Sequence, residues 1–118
     1  MKQVIIIIRP KMYYLTKAAL IEERFFSMST WNVVGRGKKA TRFNSNEDGR
    51  EVDGIYSDNM IAKKMIEIYV RDEDLERLIA VITKVNCSKK AGDGKIFVIP
   101  TEDSIRIHTG ETGENALV

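Results

Sequence analysis

The chain of 118 residues is 43% hydrophobic and 31% charged, with a formal net charge of +2 at pH 7, a balance that fits one domain with a single core. The charges are well mixed, which excludes a basic face or tail for nucleic acid or membrane surface, and the composition is not that of a disordered protein. One cysteine, Cys87, excludes an internal disulfide framework and a cysteine-based zinc site, and suits a reducing compartment.

Val4 to Ile8 is an unbroken β-branched run, the pattern of a strand covered on both faces. It is too short for a signal peptide or a membrane helix, which needs about 18 apolar residues, so a cytoplasmic protein is expected. Pro10 ends the strand and suits the first turn of a helix over Lys11–Arg24, where Tyr13, Thr16, Ala19 and Leu20 recur at helical spacing. Met28 to Val34 returns to strand character, and Gly35-Arg36-Gly37 closes it. Residues 38–59 hold few apolar side chains and many turn formers. A loop of that length inside a domain is expected to be functional, mobile when free and ordered on a partner.

Met65 to Val70 reads as a strand with Ile66, Ile68 and Val70 on one face and Met65, Glu67 and Tyr69 on the other. Asp72 is placed as the cap of a second helix, with Glu73 and Asp74 near its positive end. Leu75, Leu78, Ile79 and Ile82 carry that helix to about Asn86. Lys89–Gly94 is a short basic loop, Ile96–Ile99 a strand, Pro100–Asp103 a turn and Ile105–His108 a last short strand, with Thr109–Val118 a tail or clamp. Two β-α-β units, each burying a helix on one sheet face, give an α+β, ferredoxin-like βαββαβ sandwich. The other sheet face keeps Ile and Val positions with nothing in the chain to cover them, so oligomerisation is expected. Trp31 belongs to the core or to a subunit interface.

The segment GDGKIFVIPTEDSIRIHTGE, from Gly92 to Glu111, carries the strongest functional signal. A glycine-punctuated turn with Asp93 and Lys95 precedes one strand, and Arg106 and His108 are placed on the next. Permissive backbone beside cationic side chains on one sheet face is the layout of an anion site. No nucleophile or acid pair accompanies it, which favours a binder of phosphorylated ligand over an enzyme. Cys87, at the helix end, is read as structural.

Four stretches together resemble the PII signal-transduction family, the GlnB/GlnK class. IIRPK (Ile7 to Lys11) resembles its opening strand-to-helix signature, and GRGKK (Gly35 to Lys39) resembles GFGRQ at the start of its T-loop. GDGKIFV (Gly92 to Val98) matches its B-loop and following strand, and IRIHTGETGENAL (Ile105 to Leu117) resembles its C-terminal IRIRTGE signature. The resemblance implies one domain over 1–118, with a T-loop at about 37–60, a B-loop at about 87–95 and a C-terminal loop at about 106–118. It implies a homotrimer, or a hetero-oligomer with a paralogue, that binds ATP or ADP in clefts between subunits. With ATP and Mg²⁺, 2-oxoglutarate binds at the base of the T-loop, and the T-loop docks on targets of nitrogen metabolism.

Carried over residue by residue, the resemblance assigns the nucleotide to Ile7, Met28, Ser29, Gly35, Gly37, Lys38, Gly92, Asp93, Gly94, Lys95, Arg106 and His108. It assigns 2-oxoglutarate and the T-loop base to Gly37, Lys39, Lys63 and Gly92. His108 stands where the family usually has a second arginine, which implies weaker and more pH-dependent nucleotide binding. Lys39 replaces a glutamine whose amide oxygen is a ligand of Mg²⁺ in the family. An ammonium has only donors and cannot coordinate a cation, so Lys39 either pairs directly with a 2-oxoglutarate carboxylate or is a solvated loop charge. Within the T-loop, Arg42, Phe43, Arg50 and Tyr56 are the candidates for target contact, and Tyr56 for modification. VVGRGKKA and the long loop are similar to the nitrogenase-regulating NifI branch, in particular its second, longer-looped paralogue. That implies nitrogenase as target, with an ammonium transporter or glutamine synthetase as alternative, or a PII-like binder of another effector.

Overall fold

In a computed structural model, residues 1–37 and 60–117 are described. The elements run β1 (Lys2–Ile8), a 3-10 turn (Pro10–Met12), α1 (Tyr13–Glu22), β2 (Ser29–Gly35), β3 (Ile61–Val70), a 3-10 turn (Asp72–Asp74), α2 (Leu75–Asn86), β4 (Lys95–Pro100) and a last 3-10 turn (Gly113–Ala116). The strands form one sheet of order β2-β3-β1-β4 with every neighbouring pair antiparallel. This is the ferredoxin-like βαββαβ arrangement, with β1 central and bonded on both edges.

Alternation along the strands decides what lies beneath the helices. Val4, Ile6 and Ile8 of β1 and Ile66, Ile68 and Val70 of β3 are buried under Leu20 of α1 and Leu78 and Ile82 of α2. A polar tie crosses this layer. Thr16 Oγ1 donates to the Met12 carbonyl (2.7 Å) and accepts from Asn86 Nδ2 (3.0 Å), which also donates to the Ile82 carbonyl. Both side chains are buried, so leaving either unpaired would be costly.

The opposite sheet face carries Ile5, Ile7, Met65, Trp31, Tyr69, Phe97 and Ile99, which the register places side by side. Trp31, Tyr69 and Phe97 are each more than two-fifths exposed, a broad apolar patch for a single chain. Trp31 is therefore not a core residue of this chain. Glu67 interrupts the patch: it accepts from Gln3 Nε2 (2.8 Å). Burial, then the charge of Glu67 and a hydrogen bond to it, push the Tyr69 phenol above its ordinary pKa.

Three elements differ from the sequence expectation. β3 begins at Ile61 rather than Met65, because β2 offers edge partners as far as Gly35 opposite Ile61. Asp72 does not cap α2. Arg71 holds the cap position before the 3-10 turn, without a side-chain cap bond, and the Asp72 carboxylate faces the Met1 amino group (3.1 Å) and the Lys2 ammonium. Ile105–His108 is not a strand. Only an isolated bridge joins Ile105 to Thr112, and the chain turns back on itself between them.

Leu78 is fully buried at the centre of the core, so Leu78→Ala should cost about 2–5 kcal/mol in urea unfolding. A loss below about 1 kcal/mol would contradict this placement of the core.

Candidate functional site

The segment that joins α2 to β4 is short and heavily braced. α2 stops where Cys87 turns extended, and positive φ follows at Lys89 (62°), Gly92 (96°) and Gly94 (120°). Gly94 has no room for a side chain: an added Cβ would lie 1.9 Å from the Ile7 carbonyl oxygen. That contact presses the loop onto the end of β1, and glycine there is a steric requirement.

Asp93 organises the loop. Its carboxylate accepts from Ser88 N (2.7 Å), Ser88 Oγ (2.5 Å) and Arg9 Nη1 (2.5 Å). The second Arg9 nitrogen donates to the Ala91 carbonyl (2.9 Å). Hydrogen bonds from Ser88, then from the Arg9 guanidinium, hold the Asp93 carboxyl well below the usual carboxylate range. Lys63, on the strand that leaves residues 38–59, donates from Nζ to the Gly92 carbonyl (3.2 Å). The loop is thus fixed from both sides: Arg9 beyond β1 and Lys63 on β3. Neither Arg9 nor Ser88 stood out in the sequence. Arg9 reads there as a residue before a strand-ending proline, and its partner lies 84 positions away.

The candidate residues divide into two groups. Ile7, Lys63, Gly92, Asp93, Gly94 and Lys95 gather at one end of the sheet, where Ile7 pairs with both Met65 and Lys95, and Gly35 and Gly37 lie at the same end of β2. Arg106 and His108 lie beyond the other end. Pro100 pairs with Lys2, Thr101 N donates to the Met1 carbonyl (3.1 Å), and the C-terminal segment continues from there. Ser29 pairs with Glu67, away from Lys95, and the adjoining Met28 packs against the core. Along β1 the two ends are separated by roughly 20 Å at about 3.3 Å per residue. One chain therefore does not bring Lys95 and Arg106 to a common sheet face, contrary to the expectation for a single loop-and-strand site.

The C-terminal segment is a folded loop. Arg106 N donates to the Glu111 carbonyl (2.9 Å) and Gly110 N to the Arg106 carbonyl (2.7 Å), with Gly110 at φ 74°. The Arg106 guanidinium donates to the Asn115 carbonyl (3.1 Å) and faces Glu111 at 3.5 Å. His108 sits exposed in the turn, and Ile107 is almost wholly exposed. Lys38, Lys39, Arg42, Phe43, Arg50 and Tyr56 lie outside the described residues. Among the described residues, no three His, Cys, Asp or Glu side chains gather to hold a metal ion, and no helix is long and apolar enough to cross a membrane.

Comparison with known proteins fixes the family. The family described as "Nitrogen regulatory protein P-II" matches residues 1–111. The chain belongs to the P-II family. P-II proteins are signal-transduction regulators rather than enzymes. A "Nitrogen fixation nifHD region GlnB-like protein 2" of Methanobacterium ivanovii is 42% identical over 124 residues, covering 100% of both chains. The protein of the same name from Methanothermobacter marburgensis is 40% identical, over 99% of this chain and 100% of its own. The resemblance to the NifI branch is borne out by these names. Among solved structures, Arabidopsis thaliana PII bound to citrate superposes with a TM-score of 0.75 at 29% identity, covering 98% of this chain and 88% of that one.

Because the Asp93 pKa is depressed in the folded protein, its contribution is complete above about pH 4, the ordinary aspartate value, and is lost as pH falls toward the lower folded value. Amide protection across residues 88–94 should survive at that ordinary value and fade below it. Asp93→Asn should accelerate exchange there by about tenfold or more at neutral pH, with core amides unchanged. Unaltered exchange in the variant would refute the bracing role.

Proposed function

We propose that this P-II protein is a homotrimeric sensor that binds ATP or ADP between adjacent protomers and 2-oxoglutarate at the foot of the loop over residues 38–59. The Lys63–Gly92 hydrogen bond carries this reading. It joins the glycine-bared B-loop to the strand through which that loop re-enters the fold. An anion that settles on the B-loop backbone and competes for Lys63 thereby changes how the loop is anchored, and any ligand with differential affinity for one arrangement shifts the population.

The residues fit a polyphosphate. Gly92 and Gly94 allow close backbone approach, and Lys95 supplies a cation at the same end. Asp93, with its oxygens engaged inside the chain, contributes by holding the glycines in place. The separation of Arg106 and His108 from Lys95 supports a cleft built from two chains, each giving one group. The apolar sheet face supports the association that would create it. Ile7, Met28, Ser29, Gly35, Gly37 and Lys38 complete the nucleotide cleft in this reading, and Lys39 pairs with a 2-oxoglutarate carboxylate. Mg²⁺, when bound with ATP, neutralises phosphate charge.

The output is a protein target engaged by Arg42, Phe43, Arg50 and Tyr56. Relatives named for the nifHD region favour nitrogenase as that target.

Calorimetric titration with ATP, ADP and 2-oxoglutarate, beside light scattering for mass, tests the proposal. A trimer that binds ATP, and binds 2-oxoglutarate only with ATP present, is expected. Lys63→Ala should weaken 2-oxoglutarate by about tenfold, the loss of one charged hydrogen bond, with a smaller effect on ATP alone. A monomer without affinity for adenine nucleotides would overturn it.

A further inference from the structure

Arg106 is the cation that the proposed cleft takes from the second chain, and it already has an anion beside it. Its two terminal nitrogens are engaged unequally. Nη2 donates to the Asn115 carbonyl at 3.1 Å, a hydrogen bond to neutral main chain. Nη1 faces Glu111 Oε2 at 3.5 Å, longer than a good hydrogen bond, and the two side chains keep 32% and 45% of their surface exposed.

The backbone closes this turn without the ionic contact. Arg106 N donates to the Glu111 carbonyl, and Gly110 N to the Arg106 carbonyl. Further along, Gly113 N donates to the Ser104 carbonyl and to Asp103 Oδ1, and Ser104 Oγ donates to the Gly113 carbonyl. The guanidinium is therefore positioned from the Asn115 side. The Glu111 carboxylate is a loose partner whose departure breaks none of these bonds.

We propose that Glu111 is an internal counter-anion that decides which ligands reach Arg106. The inference rests on the proposed nucleotide binding and names how that same site selects its anion. A ligand must displace a carboxylate that the chain itself keeps at high local concentration. A free carboxylate brings the same chemistry and gains nothing by the exchange. A terminal phosphoryl group carries a charge of about −1.5 to −2 and three acceptor oxygens, so it offers Nη1 a stronger charge-assisted bond than Glu111 does. Glu111 thus lowers affinity for every anion, and polyphosphates pass where carboxylates are turned away.

Glu111→Gln removes the competing charge and keeps every backbone bond of the turn available. In calorimetric titration without Mg²⁺, ATP should bind the variant about twofold to fivefold more tightly than wild type, the worth of one exposed ion pair. Sodium acetate in place of sodium chloride at equal ionic strength should return the variant toward wild-type affinity, because a free carboxylate fills the missing place. The same exchange of salts should leave wild type unchanged. Equal or weaker ATP binding by the variant, or acetate acting alike on both proteins, would overturn the proposal. In the wild-type protein the Glu111 carboxyl carbon resonance should move on saturation with ATP; a stationary resonance overturns the proposal even where the variant fails to fold. If neither protein binds ATP, the nucleotide reading fails, and sodium tripolyphosphate takes its place in the same measurements. The same gain, acetate effect and resonance shift are then expected, and their absence would overturn the counter-anion role as well.

Discussion

Everything at the candidate site depends on one ionic brace. Arg9 leaves the end of β1 and meets Asp93, which also gathers both donors of Ser88. Without it, a segment with positive φ at three positions has little to oppose its conformational entropy. With it, the turn is held against β1 closely enough that Gly94 cannot carry a Cβ. The charge chemistry is economical: Asp93 is consumed in shaping the loop, and Lys95 remains at the edge of the sheet.

The sheet then imposes a geometric limit. Strands of six to ten residues place the B-loop at one end and the folded C-terminal segment at the other. Arg106 is held by Glu111 and Asn115 within its own loop, so a displacement that carried it to Lys95 of the same chain would dismantle that loop. The uncovered face, with Trp31, Phe97 and Tyr69, offers apolar area for association. A shared cleft satisfies both constraints, and it is the arrangement on which the proposed sensing rests.

Much of the fold was legible because its periodicities are strong. The β-branched run at Val4–Ile8 and the spacing of Leu75, Leu78, Ile79 and Ile82 admit few alternatives, and β1 and α2 lie where these patterns put them. Ile105–His108 misled because apolar and cationic residues alternate there as in a strand. Gly110 and Gly113, both at positive φ, instead let the chain fold back and satisfy its backbone locally. Asp72 has the chemistry of a cap, but a 3-10 turn begins one residue earlier and its carboxylate is drawn to nearby ammonium groups. The glycines and cations of the site were readable, whereas the Arg9–Asp93 pairing spans too much sequence for spacing to reveal it. Resemblance to P-II proteins supplied what periodicity lacks: the functional meaning of the loops.

The central claim is that Lys95 and Arg106 act on one ligand from different chains. Lys95→Ala and Arg106→Ala proteins, each weak in ATP binding, can be mixed in equal amounts, unfolded and reassembled. Random assembly of a cyclic oligomer should restore about a quarter of the clefts to wild-type composition, and tight ATP sites should reappear in that proportion in a calorimetric titration. A mixture as weak as its parents would contradict the account.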